Sequence, residues 1–166
     1  MKYLKFGTLV VVLFMFATPM FGQLKNAPAR VTTVLFVKLI EFEKKLCNEQ
    51  LTVYVLGSSE LAKELKKSIR KSNIEKVASG KTLPKTRPSV LFVCDTTQTA
   101  DAIEYTRKNK VMSATDIPSL VIKGITLGFV LGEDDKPKIL LNLSASSAEG
   151  CNWDPTVLTI VTLDFP

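Results

Sequence analysis

Two short polar turns hold the residues whose types and spacing could do chemistry. Each turn follows an apolar run, LTVYVL before residue 57 and SVLFVC before residue 95, and each precedes a helical pattern. The residues of the two turns are Gly57, Ser58, Ser59, Asp95, Thr96 and Thr97. If the apolar runs are parallel strands, the backbone N–H groups of both helix starts meet at one sheet edge, where an anion could bind. Ordinary helix capping explains the same residues, and neither turn has the spacing of a dinucleotide or P-loop motif.

The chain has three cysteines and no histidine. Without histidine, Ser-His-Asp and Cys-His catalysis is excluded, as is any zinc site that uses His ligands. Cys94 lies inside an apolar strand pattern, so we expect a buried, inert thiol. Cys47 and Cys151 lie in polar loop sequence and are the predicted partners if one disulfide forms. We predict no enzyme activity, no metal and no cofactor.

The first 22 residues have the order of a secretory signal peptide: Lys2 and Lys5, an apolar run, then Pro19 and small residues. Residues 23–30 follow as a polar segment predicted to be a short, flexible lead-in, and residues 31–166 are predicted to form one domain. Removing residues 1–22 leaves 20 basic against 16 acidic residues, since 22 minus 2 is 20, for a net charge of +4. This charge is spread along the chain, which is not the clustered basic face of a nucleic-acid-binding protein. An exported protein is expected.

The elements that must position the two turns follow from the pattern of apolar residues. LTVYVLG, SVLFVCD and VMSAT read as buried strands, separated by helical patterns at SSELAKELKKSIRKSN and TTQTADAIEYTRKN. GITLGFVLG and KPKILLNLS are two further runs separated by the turn sequence EDDKP, which predicts a hairpin. The fold class predicted is α/β: a single domain with a largely parallel central sheet of about five or six strands, a C-terminal hairpin, and helices on both faces.

The segment VTTVLFVKLIEFEK at 31–44 is predicted to be a helix that is apolar on nearly every side. A helix on the surface of a soluble domain usually has one apolar stripe. Two explanations remain open: the helix is buried between the sheet and later elements, or one side packs inward and the other meets a second protein. For the second case, the predicted interface residues are Phe36, Leu39, Ile40 and Phe42.

Several stretches together resemble the YfiR-like family of secreted periplasmic proteins. They are VLFVKLIEF, LTVYVLG, SVLFVCD, VMSATDIPSLVIKGITLGFVL and PKILLNLSASSAEGCNWDPTVLTIV, the last containing the family's N-x-x-A pattern. The resemblance covers residues 31–163. The chain departs from the family where Glu43 and Lys44 replace a Trp-Pro pair, where Ser89 replaces a cysteine, and where Gly124 replaces a Gly-Gly pair.

The resemblance implies a periplasmic regulator that binds the extracytoplasmic part of a membrane signalling protein and forms a homodimer. By the same resemblance, the partner is a diguanylate cyclase held inactive, with effects on cyclic-di-GMP and biofilm formation. It also favours a turn or short helix at 117–123 and a helix at 154–163, where β-branched residues alone favour strand. The alternative hypothesis is an exported module that binds a small ligand or anion at the turns 57–59 and 95–97.

Overall fold

A computed structural model describes residues 24–163 of the chain. The predicted signal peptide, residues 1–22, lies outside the described residues. Within residues 24–163, no helix is long and apolar enough to cross a membrane.

The described chain forms one mixed sheet of eight strands. Their bounds are β1 (Lys25–Asn26), β2 (Leu51–Leu56), β3 (Ile74–Gly80), β4 (Val90–Val93), β5 (Met112–Thr115), β6 (Leu127–Leu131), β7 (Pro137–Leu141) and β8 (Thr162–Leu163). Six of these have four or more residues, and the other two have two residues each. Strands β2 to β6 pair in parallel, whereas β6 and β7 form the predicted antiparallel hairpin. The predicted fold class is confirmed.

Five α-helices accompany the sheet. They are α1 (Ala29–Leu39), α2 (Ser59–Ser68), α3 (Thr99–Asn109), α4 (Pro118–Ile122) and α5 (Leu143–Glu149). Pro118 stands at the start of α4, where its fixed φ suits a helix and its missing N–H costs nothing. Asn142 caps α5 through a hydrogen bond that its Oδ1 accepts from the Ala145 N–H at 2.9 Å. That bond is the physical basis of the N-x-x-A pattern in the sequence.

The helices cover both faces of the sheet, as predicted. Helices α1 and α2 pack on one face, where the largest hydrophobic core lies. Helices α3 and α4 contact β4, β5 and β6, and residues of both helices share a second core with Leu91 and Val93. At the centre of the larger core, the ring of Phe36 lies edge-on to Phe92, with ring centroids 5.0 Å apart, and to Phe129, at 6.2 Å. Alternation of side chains along β4 separates the two cores.

The burial of α1 corrects the predicted interface. Phe36, Leu39 and Ile40 are only 0%, 1% and 1% exposed, so they are core side chains of the folded chain rather than a free surface. Phe42 is half-buried and packs against the same core. The helix is apolar on several sides because it lies on the sheet and also contacts α2. The first of the two explanations for this segment therefore applies to Phe36, Leu39 and Ile40.

The chain end differs from the helix predicted at 154–163. Residues Pro155–Thr159 form a 3₁₀ helix, and Thr162–Leu163 form β8, which pairs in parallel with β7. Asp154 and Pro155 begin the helical turn as expected, since the Asp154 Oδ1 accepts from the Thr156 N–H at 2.9 Å. The β-branched residues that follow return the chain to the sheet edge. By contrast, the short helix predicted at 117–123 is confirmed by α4.

Candidate functional site

The order of strands brings the two predicted turns together. The sheet order is β3-β2-β4-β5-β6-β7-β8, so the chain runs from β2 to β3 on one side and then returns to β4 on the other. The carboxyl ends of β2 and β4 flank this reversal, which is where open α/β sheets place ligands. Gly57 has φ +89°, and a Cβ built there would lie 2.7 Å from the Asp95 Cβ. The turns 57–59 and 95–97 are therefore in direct contact.

The polar side chains of these turns are engaged in capping. Ser58 Oγ accepts from the Leu61 N–H at 3.2 Å and caps α2. Asp95 Oδ1 accepts from the Thr97 N–H at 2.8 Å and from the Thr97 hydroxyl at 2.7 Å. These hydrogen bonds hold the pKa of Asp95 below its usual range. Capping thus accounts for the residue types in both turns.

The electrostatics of this edge oppose anion binding. Asp95 is joined there by Asp116, which follows β5, and the Glu60 carboxylate is close enough to raise the Asp116 pKa. Burial is the larger cause of that raised pKa. Burial also raises the pKa of the neighbouring, half-buried Cys94 thiol, so its thiolate is scarce at neutral pH. The anion site at the turns stays a prediction, with three carboxylates around it. Within residues 24–163, no cluster of metal-ligating side chains is present.

A second group of polar contacts joins the end of α1 to the end of the chain. The Glu43 carboxylate is buried and accepts from the backbone N–H groups of Lys45, at 2.9 Å, and Leu46, at 2.7 Å. It also accepts from the Asn152 N–H across the fold. Backbone bonds from Lys44 N to Asn152 O, at 2.8 Å, and an isolated bridge at Glu43 complete the junction. Glu43 is therefore a structural residue of this junction.

The junction carries two of the three cysteines. Cys47 and Cys151 lie on the two joined segments, yet both are free thiols in the structure, as is Cys94. Burial raises the pKa of Cys151 to about 12, so its thiolate is scarce at neutral pH. The predicted Cys47–Cys151 disulfide is not formed in the structure, although the two segments that carry these residues do meet.

Sequence reasoning missed a buried carboxylate at Glu149, the last residue of α5. Its Oε2 accepts from the Ser113 N–H at 2.8 Å and from the Thr126 hydroxyl at 2.6 Å, and its Oε1 accepts from the Ser113 hydroxyl at 2.6 Å. Burial raises the pKa of Glu149 despite these bonds. The network ties α5 to β5 and to the residue before β6. The available signal was weak: an acidic residue close to Gly150, which ends the helix with φ +76°.

Exposed apolar side chains lie elsewhere on the α1 side of the domain. Val34 on α1 is 49% exposed, and Leu158 and Ile160 near the chain end are 46% and 49% exposed. Val157, between them in sequence, is fully buried in the same core as Phe36. Helix α1 and the C-terminal segment thus share a core inside and present apolar residues outside. These three residues replace the buried part of the predicted interface as candidates for contact with another protein.

Comparisons with known proteins agree with this fold. A family model described as YfiR/HmsC-like matches residues 29–162. Among solved structures, a conserved domain protein from Vibrio cholerae O1 biovar El Tor str. N16961 superposes with a TM-score of 0.56 at 18% sequence identity. The alignment covers 83% of this chain and 60% of the Vibrio chain, so the present chain spans less than two thirds of that protein's length. At this identity, the likeness concerns the fold alone. None of the curated proteins matches the sequence.

Proposed function

This chain belongs to the YfiR/HmsC-like family, and from that membership we propose that it is a non-enzymatic regulator that binds the extracytoplasmic part of a membrane signalling protein. The family comprises periplasmic regulators rather than enzymes. The match over residues 29–162 is the observation that carries the proposal, because it spans nearly all of the described domain. The missing histidine supports it, since the usual general base is unavailable.

The contact surface of the proposal is the outer side of α1 together with the C-terminal segment. Its apolar members are Val34, Leu158 and Ile160. Each of these side chains is exposed to water, and the burial of exposed apolar side chains against a partner is favourable. Lys38, which is exposed on the last turn of α1, adds a positively charged residue near Val34 on the same helix. Half-buried Phe42 remains in the proposal as a residue at its edge.

The finer parts of the proposal come from the family resemblance. The partner is a membrane diguanylate cyclase that the protein holds inactive in the periplasm, and the regulator acts as a homodimer. Loss of the protein should then raise cellular cyclic-di-GMP and biofilm formation. Sedimentation of the purified protein at several concentrations measures the homodimer directly; a single monomer species at every concentration would remove that part of the proposal.

Site-specific photo-crosslinking in intact cells tests the surface. A photoreactive amino acid placed at Val34 or at Leu158 should give a crosslink to a membrane protein. The matched control is Glu104, an exposed residue of α3 on the opposite face of the sheet, which should give none. Crosslinks of equal yield at all three positions, or none to any membrane protein, would count against this surface. The substitution Leu158→Glu should abolish the Val34 crosslink while leaving the circular dichroism spectrum native.

A further inference from the structure

A cavity on the other side of the sheet is used neither by the predicted turns nor by the proposed contact surface. Helices α3 and α4 contact β4, β5 and β6 on that face, while the loop at 81–88 lies over β2 and β3. The space between this loop and the two strands has a volume of about 320 Å³. That volume is at the lower end of the range for small-ligand sites, about 300–1,000 Å³. The cavity therefore suits one small molecule rather than a peptide.

Strand register explains which side chains reach the cavity. Thr52 pairs with Lys76 and Tyr54 pairs with Ala78 across the parallel β2–β3 ladder. Because side chains alternate along a strand, these four point to the same face of the sheet, away from the core that contains Val53 and Val55. All four line the cavity, and the loop closes it from the other side.

The charged lining of the cavity is entirely positive. Lys76, Lys85 and Arg87 line it, and no acidic residue does. In the part of the chain that the structure describes, none of these three cations belongs to an ion pair. Arg87 donates one hydrogen bond, from Nη2 to the Lys110 carbonyl at 3.0 Å, which positions its guanidinium without neutralising it. Three cations that belong to no ion pair within residues 24–163, around a concave space with no acidic lining residue, attract an anion.

The remaining lining is apolar and held in place. Leu83, Pro84 and Pro88 of the loop line the cavity together with Tyr54. The Tyr54 hydroxyl donates to the Thr82 carbonyl at 2.8 Å, and a Cβ at position 80 would collide with that hydroxyl, so a side chain there would displace the end of the Tyr54 ring. The two prolines restrict the loop backbone. The ring is thus preorganised as one wall of the cavity, which lowers the entropic cost of binding.

From these observations we propose that the cavity between β2–β3 and the loop at 81–88 binds a small organic anion with a planar apolar body. The ring of the ligand contacts Tyr54 and the prolines of the loop, and its acid group is neutralised by Lys76, Lys85 and Arg87. The inference adds a ligand site to the protein and does not depend on the proposed regulatory partner, because it concerns the opposite face of the sheet.

Direct titration tests the site. The probes are two aromatic anions: 2-naphthoate, a fluorescent carboxylate, and phenyl phosphate, a phosphate monoester. The comparisons are the neutral alcohol 2-naphthalenemethanol and inorganic phosphate. At least one of the two aromatic anions should bind saturably, and both comparisons should bind more weakly, because each lacks either the charge or the ring. The double variant K85Q/R87Q should weaken binding of the anion ~10-fold or more, since two charge-assisted contacts are removed. Both side chains are exposed, so the fold should be unaffected.

The matched control is Lys63→Gln, which removes a cation from α2 on the other face of the sheet. It should leave the affinity for the probe unchanged. The proposal is overturned if neither aromatic anion binds saturably at ligand concentrations up to ~10 mM, because a dissociation constant above that concentration is too weak for a specific site. It is also overturned if the neutral alcohol binds as tightly as the carboxylate, or if K85Q/R87Q and Lys63→Gln have equal effects.

Discussion

Truncation of Glu149 to alanine should destabilise the protein strongly. The substitution leaves three buried donors without an acceptor: the Ser113 N–H, the Ser113 hydroxyl and the Thr126 hydroxyl, which now lie 2.6 to 2.8 Å from the carboxylate oxygens. At ~1–2 kcal/mol for each of the three orphaned donors, the expected loss in unfolding free energy is ~3–6 kcal/mol. Since a typical domain has a total of about 5–15 kcal/mol, the variant should be marginally stable.

Urea unfolding followed by circular dichroism measures this loss, with the m-value checked for two-state behaviour. Glu104→Ala is the matched control, because Glu104 is an exposed glutamate on the neighbouring helix α3. The control should change the unfolding free energy by no more than ~0.5 kcal/mol. If Glu149→Ala loses less than ~1 kcal/mol, the network contributes no net stability, and the reasoning from unsatisfied donors is refuted for this site.

Three further outcomes follow from the same structure. Burial raises the pKa of Glu149 in the folded state, so folding favours the neutral form of its carboxyl group. The difference in unfolding free energy between the wild type and Glu149→Gln should therefore fall as the pH rises from the usual glutamate pKa through the raised folded pKa. A difference that does not change with pH would contradict this. Gly57→Ala should lower the unfolding free energy by ~2–3 kcal/mol and Gly150→Ala by ~1 kcal/mol, because both positions have positive φ but only Gly57 also lies against Asp95. Equal losses of stability in thermal unfolding would contradict the contact between Gly57 and Asp95. Phe36→Ala should lower the unfolding free energy by ~3–5 kcal/mol and Val34→Ala by no more than ~0.5 kcal/mol, since only Phe36 is in the core; similar losses in urea unfolding would contradict this difference in burial.

Local patterns were sufficient to predict most of the sheet. The runs LTVYVLG and SVLFVCD gave β2 and β4 because an uninterrupted apolar run fits a strand buried on both faces. The EDDKP sequence predicted the hairpin between β6 and β7, where Asp135 indeed adopts a left-handed φ of +54°. Convergence of the turns at 57 and 95 followed from the parallel order of the strands.

Long-range contacts could not be predicted in this way. The apolar α1 sequence fits a docking helix and a buried helix equally well, and only the packing of α1 on the sheet and beside α2 decides that Phe36 and Ile40 are covered. Glu43 and Glu149 are of a residue type that usually lies on the surface, but both accept hydrogen bonds from residues more than 20 positions away in the sequence. The cavity likewise depends on how the loop at 81–88 lies over β2 and β3. The residue types along the chain do not specify that position.

The junction between Glu43 and Asn152 has a kinetic consequence. Phe42 O accepts from the Asp154 N–H at 2.7 Å, so the exit from the first helix is completed by residues more than a hundred positions later. Contacts of such sequence separation form late, because the intervening loop must be closed first. A growing chain that lacks residues 150–154 leaves the Glu43 carboxylate without the Asn152 donor. The domain is therefore expected to finish folding only after residues 150–154 have been added to the chain.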